Sequence, residues 1–412
     1  VTTIVLFVET IILARYLEPK QLGVLLLAIA YPEALQQLLD FRVREAMTKY
    51  LTEFLTLKRH AEAVSLIKLL WVIDVTVSAT ALLIVLVTAG FASELLVPGA
   101  DASQLMRIYS IGVFLASLDS ASGTVLRTLD RFGLAFGAGA SAYLLRLGLV
   151  AGAVSLGGNL EALVWARVGG ELLNTLLVGG ASFFAIRPLV WAERRSPVSL
   201  LGDRSREIRR FLLNTNLTGV LRMASTKLDT LLVGLIASPA TVAIYRIGLQ
   251  FGRAPLLVSD PLNLVIYPAF AREFALGRIK RMREMARRAS VYVAALALPA
   301  IVIAGLEGDT LIGALAGERF RAAGTPLFLC LVGVVPYVIF FWLYPLLLTT
   351  GHAGTVVKIV GAGTVIQLVT IVALVPSLGA SGAAAGFAVN YIISLALGLR
   401  FVYRAKVLRE NE

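Results

Sequence analysis

Apolar residues run through this chain in blocks, and the polar residues gather between them. Twelve blocks can be read, at roughly 1–17, 21–41, 64–90, 104–127, 133–156, 160–186, 211–237, 240–270, 289–315, 325–349, 354–376 and 379–402. About 20 apolar residues let an α-helix cross the hydrocarbon layer of a bilayer. The period-2 alternation of lipid-facing barrel strands is absent. Lipid offers no partner to backbone N–H and C=O groups, so each block predicts a spanning helix. The first block is short, from Ile4 to Leu17, and residue 1 is Val1 rather than methionine. The expectation is that the start of this helix is missing or the start codon misassigned. A signal peptide is the rival reading, but the run has no basic n-region and no small-residue cleavage site.

The blocks repeat. Ile11 to Asp40 reads IILARYLEPKQLGVLLLAIAYPEALQQLLD, and Leu231 to Asp260 reads LLVGLIASPATVAIYRIGLQFGRAPLLVSD. Each stretch is an apolar helix end, a polar turn holding a proline, and a second apolar helix closed by an aspartate. Pro19 pairs with Pro239, Asp40 with Asp260, and Glu53-Phe54 with Glu273-Phe274, all at an offset of 220 residues. One offset shared by unrelated residue types argues for duplication of half the chain. The longest hydrophilic breaks follow the second, sixth and eighth blocks. The break after the sixth separates the halves. The predicted organisation is an N-terminal six-helix lobe over 1–186, a cytoplasmic linker over 187–210 and a C-terminal six-helix lobe over 211–412.

Composition agrees with the pattern. The 412 residues are 58% hydrophobic and 16% charged, against roughly half and a quarter in soluble domains. Charge then orients the chain. Counting residues at block ends with the adjoining loop, loops after even-numbered blocks and the tail hold 26 Lys/Arg, and loops after odd-numbered blocks hold 5. The positive-inside rule places the even loops and both termini in the cytoplasm, as expected for a multi-pass protein of the plasma (inner) membrane. Two six-helix halves of the same orientation make the duplication parallel. The net charge of +12 follows topology rather than one face of a domain, which argues against nucleic-acid binding. Arg278 to Arg288 is expected to lie against anionic headgroups. Cys330 is the single cysteine, and His60 and His352 are the two histidines, far apart in sequence. Neither a disulfide framework nor a metal cluster is therefore predicted. The segment GAGTV at 361–365 lacks the Lys-Ser/Thr of a phosphate loop and reads as a helix contact.

Seven basic residues fall inside blocks: Lys68, Arg146, Arg167, Arg222, Lys227, Arg246 and Arg253. Each would cost about 2.5–3.5 kcal/mol if it faced lipid at mid-helix. Four of them lie in the seventh and eighth blocks, so they must face protein or water. In the eighth block Arg246, Gln250, Arg253 and Asp260 fall at i, i+4, i+7 and i+14, one stripe. In the seventh, Thr218, Arg222, Ser225 and Asp229 share a face. In the second, Glu33, Gln36, Gln37, Asp40 and Arg44 do the same. Three polar stripes on apolar helices describe a hydrated cavity with more basic than acidic groups. The bland alternatives are that Arg167 and Glu171 neutralise each other at i, i+4, and that Arg146 pairs with a neighbouring helix instead of lining the cavity. Lys68 reads as a snorkelling residue near a block end, and Asp74 and Asp119 as structural partners of basic residues. Candidate substrate-binding residues are Asp40, Arg222, Lys227, Asp229, Arg246, Gln250, Arg253 and Asp260, with Glu33 and Arg146 as further candidates. Pro32, Pro255, Pro261 and Pro268 predict bends in the second and eighth helices.

The stretch ILARYLEPKQLGVLLLAIA resembles the opening signature of the polysaccharide-exporter and O-antigen flippase family, part of a MATE-like superfamily. LRTLDRFG at 126–133 is similar to that family's turn between helices 4 and 5, and VPSLGASGAAAGFAVNY at 375–391 to its start of helix 12. SLGGNLEALVWA at 155–166 looks like the first-half counterpart of SLGASGAAAGFA at 377–388. The resemblance covers essentially the whole chain. It implies an all-α fold of twelve transmembrane helices in two lobes around a central cavity. The implied cargo is an oligosaccharide on a polyprenyl diphosphate, moved from the cytoplasmic to the outer leaflet by alternating access. Arg15 matches the signature arginine and joins the candidate residues; Glu18 departs from the glycine usual in the turn. No cofactor is implied, and H+ or Na+ coupling would draw on Glu33, Asp40, Asp229 or Asp260. Other polysaccharide-assembly membrane proteins are the implied partners. Two alternatives are kept. A cation-coupled antiporter for small cationic molecules would want an acidic cavity. A membrane enzyme on the same lipid would want a sizeable outward loop with acids or histidines, and no such constellation stands out.

Overall fold

The computed structural model describes residues 2–202, 204–212, 223–224 and 227–405. Among these residues every regular element is helical. Eight of the described helices are long and apolar enough to cross a membrane, and the pair Pro239–Gly252 and Leu256–Ala275, bent by 45°, makes a ninth span if counted as one. Thr2–Tyr16 is a further helix of 15 residues. The 52-residue helix Ala353–Arg404 turns at Gly379, whose φ of 54° suits glycine. It thus supplies the two spans expected over 354–376 and 379–402. Of the span expected over 211–237, Leu228–Ile236 is the described end, and much of the rest, with Thr218, Arg222 and Ser225, lies outside the described residues. The protein is an all-α membrane protein with about twelve helices. Exposed apolar side chains such as Val87 (83%) and Leu306 (78%) are what a lipid-facing surface requires.

The chain folds as two compact units. One comprises Val1–Tyr16 and Val24–Lys227, the other Leu17–Gly23 and Leu228–Glu412.

The first unit holds α1 (Thr2–Tyr16), the body of α2 (Pro19–Leu39), α3 (His60–Leu96), α4 (Ser103–Thr128), α5 (Phe132–Ser155) and α6 (Leu160–Ala192). Helix α6 packs on both α4 and α5, α5 on α1, and α3 on α4. Small residues permit these approaches. A Cβ at Gly112 of α4 would sit 3.2 Å from Val168, and one at Gly170 of α6 would meet the Arg146 stem at 2.5 Å. The side chain of Asn159 caps α6, accepting from Ala162 N at 2.9 Å. After α2 the chain forms a helical arm over 43–56 with a π turn at Met47–Leu51. Its Met47, Tyr50, Leu51 and Phe54 are buried together with Leu201, Ile208 and Leu212. Residues of the 187–210 stretch therefore belong to this unit's core. Lys68 reaches from α3 to donate to the carbonyls of Arg194 (2.9 Å) and Ser196 (3.0 Å).

The second unit holds α7 (Leu228–Ile236), α8 (Pro239–Gly252), α9 (Leu256–Ala275), α10 (Ile279–Ala316), α11 (Gly324–Ile339), α12 (Leu343–Thr349) and α13 (Ala353–Arg404). Helix α11 packs against α8, α10 and α13. The two repeated prolines take equivalent places, Pro19 opening α2 and Pro239 opening α8, where a missing N–H costs nothing. The caps differ: Glu18 N donates to Gln21 Oε1 at 3.1 Å, whereas Ser238 Oγ accepts from Thr241 N at 3.3 Å.

Between α8 and α9 the N–H groups of Ala254, Leu256, Leu257 and Val258 bond three residues back. Pro255 has no N–H to continue the α ladder, and the helix bends there. Asp260 was expected to close its helix as Asp40 does. Instead it lies in the second turn of α9, which continues to Ala275. The stretch 307–324 is mostly helical. Glu307 breaks the helix locally (φ −130°), α10 resumes to Ala316, and a 3-10 turn covers Glu318–Ala323.

Candidate functional site

In the first unit, five ionised side chains and a tyrosine from the spans converge with Lys227. Glu9 of α1 is fully buried and accepts from Arg146 of α5, Nε at 3.1 Å and Nη2 at 2.8 Å. Its other oxygen faces Arg167 Nη2 of α6 at 2.7 Å. Arg146 Nη1 donates to Glu171 Oε1 at 2.8 Å. Beside this group, Glu33 of α2 accepts from Tyr109 OH at 2.9 Å and from Lys227 Nζ. Three carboxylates thus meet three cations, and the group is formally neutral. The close approach at Gly170 lets the Arg146 stem cross α6 and reach Glu171 one residue on.

Two sequence expectations change here. Arg167 and Glu171 do not neutralise each other. Arg167 pairs with Glu9, and Glu171 with Arg146. Nor does Lys227 stand in an unpaired basic group; Glu33, on a different helix, is its partner. Glu9 was missed. The signal was available, because an acid inside an apolar run is costly without a partner, but the run is the shortest of the twelve.

In the second unit, Asp229 opens α7 and is fully buried. It accepts from Tyr245 OH at 2.7 Å, Thr230 N at 2.6 Å and Thr230 Oγ1 at 3.1 Å. Arg246 of α8 meets Thr230 Oγ1 at 3.4 Å, so it touches the Asp229 system only through a hydroxyl. Arg253 ends α8 with its guanidinium 5.0 Å from the centre of the Phe387 ring, a cation–π contact. Among the described residues neither Arg246 nor Arg253 has a carboxylate within 4 Å. Arg246, Gln250 and Arg253 share one face of α8 and are half-buried. On the opposite face Gly248 and Gly252 press against α11; a Cβ there would meet Pro326 at 2.6 Å and Cys330 at 2.5 Å. Glycine packing on one side therefore turns the cationic stripe to the other.

The remaining candidates are placed as follows. Arg15 is exposed in the last turn of α1. Asp40 follows α2 and accepts from Arg42 N at 2.7 Å. Asp260 is exposed on α9, beyond the bend. Arg222 lies outside the described residues. Among the described residues, no group of three or more His, Cys, Asp or Glu is arranged to hold a metal ion.

A family model described as polysaccharide biosynthesis protein matches residues 12–324. A search of curated proteins finds no match. Solved structures share the fold. An inward-facing multidrug resistance MATE family transporter of the MOP superfamily superposes with a TM-score of 0.75 at 13% identity, over 99% of this chain and 95% of that one. The lipid II flippase MurJ, in an inward closed conformation, gives 0.75 at 13% identity over 98% and 86%. A variant of the Vibrio cholerae MATE transporter VcmN gives 0.63 at 14% identity over 99% and 95%.

Proposed function

The chain belongs to the polysaccharide biosynthesis protein family, and from that premise we propose that it is a flippase for polyprenyl-diphosphate-linked oligosaccharide. It moves the cargo from the cytoplasmic to the outer leaflet of the plasma membrane by alternating access, with both termini in the cytoplasm. The observation that carries the reading is the α8 stripe. Arg246 and Arg253 sit within a membrane span with no carboxylate within 4 Å among the described residues. A diphosphate cannot cross hydrocarbon unaided, and guanidinium groups offer it fork-shaped, charge-assisted contacts. The balanced first-unit group has no such surplus, so its role is to hold α1, α5 and α6 together. A carrier of small cations would want a free acid in the stripe's place, yet Asp229 is already bonded by Tyr245 and Thr230.

The test compares export with abundance for variants in the native host. Arg253→Ala and Arg246→Ala abolish export while protein level stays near normal. Lysine at either place retains part of the activity, because charge survives and the bidentate fork does not. Full export by the Arg246→Ala, Arg253→Ala double variant would sink the proposal.

A further inference from the structure

A second chemistry lies on the next helix, α9. Continuing from Arg253 and Asp260, the α9 face carries Asn263 and Tyr267, which line a cavity of about 540 Å3 with Leu264, Tyr337, Phe341 and Tyr344. Tyr337 is the hinge of an aromatic chain. Its ring lies 5.7 Å from Tyr344 and 4.8 Å from Tyr391, edge-on to the latter. Tyr391 lies 4.8 Å from Phe387, and Phe387 carries the Arg253 guanidinium. An unbroken run of rings thus leads from the cavity to an arginine of the proposed diphosphate site. Asn263 Oδ1 is shut off from solvent and has no hydrogen-bond partner among the described residues. A buried amide oxygen in that state awaits a donor.

We infer that this tyrosine-lined cavity of the second unit is a saccharide subsite, which holds the sugar next to the diphosphate of the cargo. The inference rests on the flippase reading. Its chemistry is that of a pyranose. The C–H face of the ring is apolar and stacks on aromatic faces, while the hydroxyl rim needs acceptors and donors, here Asn263 and the tyrosine hydroxyls. A pocket mostly apolar, with a few placed polar groups and a volume in the range of about 300–1,000 Å3, suits such a ligand. Leu348 and Val356, on either side of the turn 350–352, also line the cavity, and by the basic-residue count that turn is at the end from which a cytoplasmic cargo would load.

The experiment uses the purified full chain and two probes: lipid-linked saccharide extracted from cells lacking the protein, and the sugar-free polyprenyl diphosphate. The wild-type chain should bind the saccharide lipid about tenfold more tightly, a difference of about 1.4 kcal/mol. The Tyr337→Leu, Tyr344→Leu double variant and Asn263→Ala should each lose most of that preference, with unchanged affinity for the sugar-free lipid, which also reports an intact fold. Tyr337→Phe, which keeps the ring, should keep the preference within about threefold. Arg253→Ala should weaken both lipids alike. Retention of the full preference by the double variant, or no preference in the wild type, overturns the subsite and leaves the flippase reading standing. Failure of the wild type to bind either lipid removes both.

Discussion

Glu9→Gln tests the buried ion group most sharply. The side chain keeps its shape and loses its charge. Glu9 is fully buried and takes Arg146 at 2.8 and 3.1 Å and Arg167 at 2.7 Å. Once it is neutral, Arg146 keeps Glu171, and Arg167 loses the one carboxylate within ion-pair distance of it among the described residues. Stranding a buried charge costs about 3–5 kcal/mol. For a unit of this size each kcal/mol moves the melting temperature by about 2–4 °C, so a fall of about 10 °C is expected. The assay is intrinsic fluorescence against temperature for purified protein in detergent. Adding Arg167→Gln removes the stranded charge and should recover part of the loss, since contacting residues couple by about 0.5–3 kcal/mol. A Glu9→Gln variant melting within about 2 °C of the wild type would refute the reasoning, as would a double variant no better than the single one.

Two further outcomes follow from the junction of the 43–56 arm and from the charge pattern. At the junction of the 43–56 arm with residues 204–212, Glu207 accepts from Tyr50 at 3.1 Å and Arg204 at 3.0 Å, and the Tyr50 hydrogen bond first, then that of Arg204, holds its carboxyl below the ordinary 4.5. A lowered carboxyl contributes stability above its ordinary value and loses it as pH falls through the folded one. Protection factors over 204–212, corrected for intrinsic exchange at each pH, should therefore be high at neutral pH and fall only as pH drops through the lowered folded value; equal protection of wild type and Glu207→Gln at neutral pH would contradict this. In a Cys330→Ala background, an impermeant thiol reagent applied to intact cells should label Glu318→Cys and spare Leu200→Cys and Glu284→Cys. Labelling of Leu200→Cys from outside would overturn the orientation drawn from basic residues.

Much of the fold was legible because lipid leaves the backbone only helices or closed barrels, the barrel alternation is absent, and apolar block length then counts the helices. The duplicated turns were legible because proline at a helix start is a local matter, and Pro19 and Pro239 both stand there. Pairing across helices was not. The i, i+4 spacing of Arg167 and Glu171 suggested a bond within α6, but tertiary packing gave each a partner elsewhere, through Glu9 and Arg146. Lys227 looked surplus because its partner, Glu33, is 194 residues away. Asp260 copies Asp40 in sequence but does not close its helix, because no break in the helical ladder follows it before Ala275. The tyrosine cavity left little trace in spacing: Tyr337 and Tyr344 share the block 325–349, but Tyr267 and Tyr391 come from two others.

The central claim, that the cargo is a lipid-linked saccharide awaiting transfer between leaflets, is tested most directly in cells lacking the protein. Their lipid-linked saccharide is extracted and quantified, and its leaflet is read by susceptibility to an impermeant sugar-modifying enzyme in intact and in everted membranes. The account predicts accumulation confined to the cytoplasmic leaflet, with extracts still able to assemble the lipid-linked saccharide. Extracts unable to make it, or lipid-linked saccharide reaching the outer leaflet at the wild-type rate, would contradict the account.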